Sequence, residues 1–227
     1  MKIKKNFKSL VNMDELELLK SKWQEGNQEL PKLSYNDIYK MRHNKSASIV
    51  KWIFIISVCE LVFWIVLGFL SPESNKELLV QIGLQNTLTI LYGLHYVVIA
   101  VFLVLFYLNQ KNIKTTDTVK NLMHSIIKTR KTVSYFVIYN VVSTALILVY
   151  INLYFFTKKN ELYTILIKDN DAYQGVPIET FTSVFFIVQF VVGLLLIGFV
   201  LLFYRIVYGI LLRKLKHNYG ELEKIEL

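Results

Sequence analysis

A chain of 227 residues that is 54% hydrophobic, only 19% charged and carries a net charge of +9 does not have the composition of a soluble domain. Its single cysteine, Cys59, excludes an internal disulfide and a cysteine-based zinc site. The apolar residues gather in long runs, which places the chain in the membrane class.

Residues 1–48 read as a helical segment outside the membrane. The basic start, MKIKKNFK, has no apolar run behind it and does not read as a cleavable signal peptide. In DELELLKSKWQ the residues Leu16, Leu19 and Trp23 share one helical face, and Asn12 with Glu15 three residues on is a helix start. Gly26 and Pro31 then break the helix. A second helix is predicted from Ser34, where SYND is a capping-box variant, through Tyr35, Ile38, Tyr39 and Met41. It either runs on into the first apolar stretch as one rod or hinges near Asn44.

Four stretches reach the length of about 20 apolar residues that a bilayer core requires: 49–70, 88–108, 133–156 and 181–204. In lipid every backbone polar group needs an internal partner, so these are helices. The expected fold is all-α, a four-helix transmembrane bundle with short amphipathic helices beside it. Two connections, 71–87 and 157–180, fall on one side. The 1–48 segment, the 109–132 loop and the 205–227 tail fall on the other. Residues 1–51, 109–132 and 205–227 contain 11, 6 and 5 Lys and Arg, against 1 and 3 in the two connections. Basic flanks stay cytoplasmic, so both termini are expected in the cytoplasm. The distribution accounts for the positive charge without nucleic-acid binding. Trp52, Tyr107, Tyr135, Tyr154, Phe155, Tyr204 and Tyr208 sit at span ends and read as interfacial aromatics.

The 109–132 loop contains DTVKNLMHSIIKTRK, an amphipathic stretch with a basic polar side. It reads as a downward extension of the third span along anionic headgroups, capped by Thr116 or Asp117. A docking surface for a partner is the other reading. The 157–180 connection holds the β-prone LYTILIK, read as a short strand or interfacial helix. Its DND lacks the glycine and the terminal glutamate of a calcium loop, so Asp169 and Asp171 are not expected to hold a metal.

One carboxylate lies inside the first span. Glu60 is nine residues past Lys51 and ten before Leu70, near the bilayer midplane, where such a group costs about 2.5–3.5 kcal/mol on insertion scales and turns toward the bundle interior. His95 in the second span, Asn140 in the third and Gln189 in the fourth lie at comparable depth. The four are expected to form one polar layer. Hydrogen bonds between membrane helices contribute about 0.6–2 kcal/mol each, so the layer fixes register. Proton or ligand handling by Glu60 and His95 is the alternative.

No HExxH, GxSxG, P-loop or GxGxxG pattern occurs, and of the four histidines only His95 is in a span. No enzyme activity, cofactor or metal is expected. The segments MDELELLKSKWQ, LPKLSYNDIYKMRHNKSASIVKWIFIISVCELVFW and VKNLMHSIIKTRKTVSYF resemble a group of uncharacterised bacterial four-span inner-membrane proteins. Some of these carry a beta-carotene monooxygenase label, whose multi-histidine iron chemistry the histidine count does not support. The resemblance implies genes placed near those of extracytoplasmic-function sigma factors. It also implies a membrane-anchored anti-sigma-like regulator in which residues 13–45 wrap a sigma factor. Leu16, Leu19, Trp23, Tyr35, Ile38 and Met41 would then be the buried anchors. The alternatives are packing of these helices on the protein's own 117–131 helix, and a scaffold or assembly subunit of a larger membrane complex.

Overall fold

The structure, a computed structural model, describes residues 17, 19, 20, 34–116, 118–168 and 175–226. Leu16, Trp23, Asp117, Asp169 and Asp171 lie outside the described residues, as does the side chain of Tyr35. Six helices are described: α1 (Tyr35–Phe69), α2 (Glu73–Gln81), α3 (Gln85–Lys114), α4 (Val119–Thr157), α5 (Lys159–Lys168) and α6 (Ile178–Glu226). No strand occurs among the described residues. The chain divides into two units, Met1–Lys40 and Met41–Leu227.

Four of the helices, α1, α3, α4 and α6, are long and apolar enough to cross a membrane. This is an all-α, multi-pass membrane protein. Each of the four outruns its apolar stretch, and α6 extends over 49 residues, to Glu226. The expected second helix is the start of α1, which continues without a break to Phe69. Ser34 begins it as the SYND pattern predicts: Asp37 Oδ2 accepts from the Ser34 amide at 3.1 Å. The amphipathic stretch of the 109–132 loop is the first half of α4. Its cap is Thr118, whose hydroxyl accepts from the Asn121 amide at 3.3 Å. Thr116, expected as a cap, instead donates back to the Asn112 carbonyl at 2.6 Å and closes the end of α3.

The connections read as 71–87 and 157–180 both contain helix. LYTILIK forms most of α5 and is not a strand. Local β preference is weak where burial decides, and here Leu162 is fully buried against Ile82, Leu84, Leu88 and Phe155. Helix α2 ends in a Schellman turn. Gly83 adopts φ +81°, its amide donates to the Val80 carbonyl at 3.0 Å, and the Leu84 amide donates to the Leu79 carbonyl at 2.9 Å. A side chain at Gly83 would strain this backbone and bring a Cβ to 3.3 Å from the Tyr154 hydroxyl, which donates to the Ile82 carbonyl at 3.0 Å. The turn therefore fastens α2 to α4 and closes one end of the bundle.

The opposite end is held by a heptad-like seam. Val119, Leu122, Ile126, Thr129, Val133, Phe136 and Asn140 are buried along α4 at alternating spacings of three and four, the spacing that keeps one stripe of a helix inward. Leu215, Asn218 and Leu222 of α6, Phe106, Asn109 and Ile113 of α3, and Ser46, Val50, Ile53 and Ser57 of α1 are buried on the facing helices. Polar links cross this end. Arg42 reaches Asn218 Oδ1 and Glu221 Oε2, both at 3.4 Å. Asn218 Nδ2 donates to Ser46 Oγ at 3.3 Å, Asn109 Nδ2 donates to Thr132 Oγ1 at 3.2 Å, and His43 Nε2 lies 2.6 Å from the Ile113 carbonyl. The packing of α1 stops short of its end: every residue from Val62 to Leu70 is exposed.

Candidate functional site

Glu60 sits where the packed part of α1 ends. Ser57 and Glu60, three apart, lie on one face of α1. Tyr204 and Tyr208, four apart, lie on one face of α6. The two faces meet. The Tyr204 hydroxyl donates to Glu60 Oε1, and the Tyr208 hydroxyl donates to Oε2 at 3.1 Å. Tyr208 also contacts Ser57 Oγ at 3.0 Å, while Ser57 donates to the Ile53 carbonyl at 2.8 Å. When Tyr208 donates to the carboxylate, the single Ser57 proton serves either Ile53 or Tyr208. Both carboxylate oxygens thus have a donor, which is what a carboxylate in an apolar slab requires. Hydrogen bonds to charged groups contribute about 1.5–3 kcal/mol each, so two of them offset the insertion cost of the residue.

Tyr204 and Tyr208 were expected at the interface and are instead buried, 5% and 1% exposed. Phe155 is buried as well, whereas Trp52, Tyr107 and Tyr135 are exposed. The signal for the buried pair was in the sequence: two tyrosines four apart share a helix face, and a midplane carboxylate needs donors. What hid them is that α6 continues far past residue 204, so a position that looked like a span end is the middle of a helix.

The layer of Glu60, His95, Asn140 and Gln189 does not form as expected. Among the described residues no hydrogen bond joins any two of the four. Asn140 is buried but turns back to its own helix, with Nδ2 donating to the Phe136 carbonyl at 2.8 Å. Intrahelical bonding of this kind satisfies the amide without a neighbouring helix. Gln189 is half-buried. His95 is half-buried, and its Nδ1 is enclosed without a hydrogen-bond partner. Its ring stacks on Tyr139 of α4, with centroids 5.4 Å apart and planes 15° apart.

An aromatic chain nevertheless joins Glu60 to His95. Phe136 packs edge-on against Tyr204 at 6.2 Å and lies 5.7 Å from Tyr208. Phe102 meets Phe136 at 5.4 Å and Tyr139 at 5.9 Å, and Tyr139 carries the His95 stack. Aromatic pairs of this geometry contribute about 0.5–1.5 kcal/mol beyond their burial. Rings, not hydrogen bonds, therefore connect the two ionisable residues.

Of the expected partner-binding residues, Leu19 and Met41 are exposed, at 67% and 48%, and Ile38 is half-buried. No group of three or more His, Cys, Asp or Glu residues placed to hold a metal occurs among the described residues.

The matching family model covers residues 36–227. The chain belongs to the family described as domain of unknown function DUF8845. That family domain takes in all six helices apart from the first residue of α1, and with them Glu60, both tyrosines and His95. It leaves residues 1–35 outside. No curated protein and no solved structure matches the chain.

Proposed function

We propose that this protein acts by protein–protein contact, as a membrane-anchored regulator whose cytoplasmic N-terminal segment, residues 13–45, captures a protein partner. The resemblance to four-span proteins encoded near sigma-factor genes makes an extracytoplasmic-function sigma factor the first candidate. The observation that carries the reading is the division of the chain at Lys40, close to where the family domain begins at residue 36. A short appendage on a membrane domain suits capture of a soluble partner. The exposed apolar side chains of Leu19 and Met41 support it, since apolar anchors dominate helix-in-groove recognition. The basic flanks favour an inner-membrane protein with both termini in the cytoplasm.

The test is native purification of the full chain with whatever accompanies it, for the unaltered protein and for the Leu19→Asp, Met41→Asp double variant. Co-purification of a sigma factor that the double variant loses supports the reading. A bundle that purifies without one, or a sigma factor retained by the variant, sinks it.

A second reading, a scaffold or assembly subunit within a membrane complex, is favoured by the exposed run from Val62 to Leu70. Replacing the four long helices by an unrelated anchor separates the two. A regulator keeps most of its activity, and a scaffold loses it.

A further inference from the structure

Arg130 of α4 is half-buried, permanently charged and unpaired. Its Nε is enclosed and has no hydrogen-bond partner, while its two Nη groups stay open. No hydrogen bond or ion pair joins them to a described residue. Arg42, the other half-buried arginine among the described residues, has Glu221. For Arg130 the chain supplies no such anion. Helices α3 and α4 contain no Asp or Glu, and α6 has none between Glu179 and Glu221. Arg130 lies five turns from Leu148 along one line of α4, the line that meets α6 at Gly193. Phe136 packs on Tyr204 and Tyr208, so six residues back Arg130 is level with residues 210–214 of the antiparallel α6. Glu221 is at least about 10 Å further along the axis and is held by Arg42 and Lys224. Glu60 is taken by the two tyrosines. A guanidinium that has lost water at Nε needs a counter-charge at its open edge, and that charge has to come from outside the chain.

We propose that the open edge of Arg130 holds the phosphate of an anionic phospholipid, in the leaflet on the side of the basic 109–132 segment. The depth fits. Val133, where the third apolar stretch begins, is three residues on, about 4.5 Å at 1.5 Å per residue, which is the level of the headgroups. The chemistry fits as well. A phosphodiester offers two oxygens to the parallel N–H groups of a guanidinium, a paired contact that a lysine does not make. Water also reaches the Nη groups but brings no charge. Phosphatidylcholine brings the same phosphate with its charge cancelled by choline. Lys128 and Lys131, exposed on either side of Arg130, add the attraction that basic residues have for an anionic surface.

The experiment places the full chain in nanodiscs of phosphatidylcholine with increasing phosphatidylglycerol. Native mass spectrometry then reads the lipid retained after transfer to mild detergent. One phosphatidylglycerol held in preference to phosphatidylcholine is expected. Arg130→Gln is expected to weaken that preference about tenfold, the effect of losing charge-assisted hydrogen bonds. Arg130→Lys keeps the charge and the fold but not the paired N–H groups, and is expected to weaken it severalfold. Lys120→Gln, exposed on the same helix, is expected to leave it unchanged. Equal retention of the two lipids overturns the proposal, as does an unchanged preference in either Arg130 variant. An equal loss in Lys120→Gln overturns it too, because the attraction is then diffuse. So does displacement of the lipid by excess inorganic phosphate, which marks a site for a soluble anion.

Discussion

Glu60 and His95 both lie within apolar stretches, and the bundle treats them oppositely. The carboxylate is met by two tyrosines from another helix, so that both of its oxygens have donors. The imidazole is met by a ring that stacks on it and bonds neither nitrogen. A carboxyl group left bare in hydrocarbon costs more than a neutral heterocycle, so the stronger demand is the one satisfied within the chain. The difference teaches that depth alone does not define a polar network in a membrane protein. Each group recruits partners in proportion to the cost of leaving it bare, and a group left bare is the better candidate for an external ligand.

The sharpest way to break the comparison is to strip Glu60 of its donors. Tyr204→Phe with Tyr208→Phe keeps both rings against Phe136 and leaves a carboxylate without a partner. Hydrogen bonds to a charged group contribute about 1.5–3 kcal/mol each, so losing both is expected to lower the thermal unfolding temperature in detergent steeply. A melting temperature close to that of the unaltered protein would show that the clasp does not hold α1. Glu60→Gln is expected to be milder, about 1–3 kcal/mol. Its amide oxygen still accepts from one tyrosine, while its NH2 group donates to the other hydroxyl, whose own proton loses the acceptor it had on Glu60.

Tyr139→Leu probes the aromatic chain between the two sites. Losing ring pairs with His95 and Phe102 is expected to cost about 1–3 kcal/mol when cavity and stacking losses are combined. The effect should be additive with Glu60→Gln unless the rings couple the sites, and a double-mutant cycle reads that coupling. His95→Phe should change stability by no more than about 0.5 kcal/mol, because no hydrogen bond within the chain is lost. A large destabilisation would mean that the imidazole holds a structural partner after all.

The pH dependence needs one correction before it is assigned to the spans. Glu221 is held below the ordinary carboxylate range, first by its hydrogen bond with Lys224 and then by the charges of Lys224, Arg42 and His217. A carboxyl whose folded pKa is depressed stabilises the folded state above its unfolded pKa, and that contribution is lost as pH falls through the folded value. Acid titration of the melting temperature is expected to show this small loss, and Glu221→Gln to remove it. The side chain is partly exposed, so the loss is also expected to shrink with added salt.

Much of the architecture was legible in the residues. Four apolar stretches, the start of α1 at Ser34 and the amphipathic start of α4 follow from periodicity and capping, which are local, whereas a rod and a hinge near Asn44 were equally compatible with the residues and α1 runs on unbroken. The short helices α2 and α5 were not, because LYTILIK satisfies a strand or a helix equally well until Leu162 has something to pack against. The candidate site was half legible: Glu60 announced itself by its place in an apolar run, yet its partners were sought at equal depth in the other three spans and found at the far end of the fourth.

What the sequence alone determined is the number of membrane-crossing helices, since length and hydropathy act within one segment. Which side chains meet was decided only in three dimensions. Relative rotation and axial shift of packed helices set those meetings, and α6, extending 22 residues past Tyr204 to Glu226, turned two apparent interface tyrosines into the donors that hold a carboxylate.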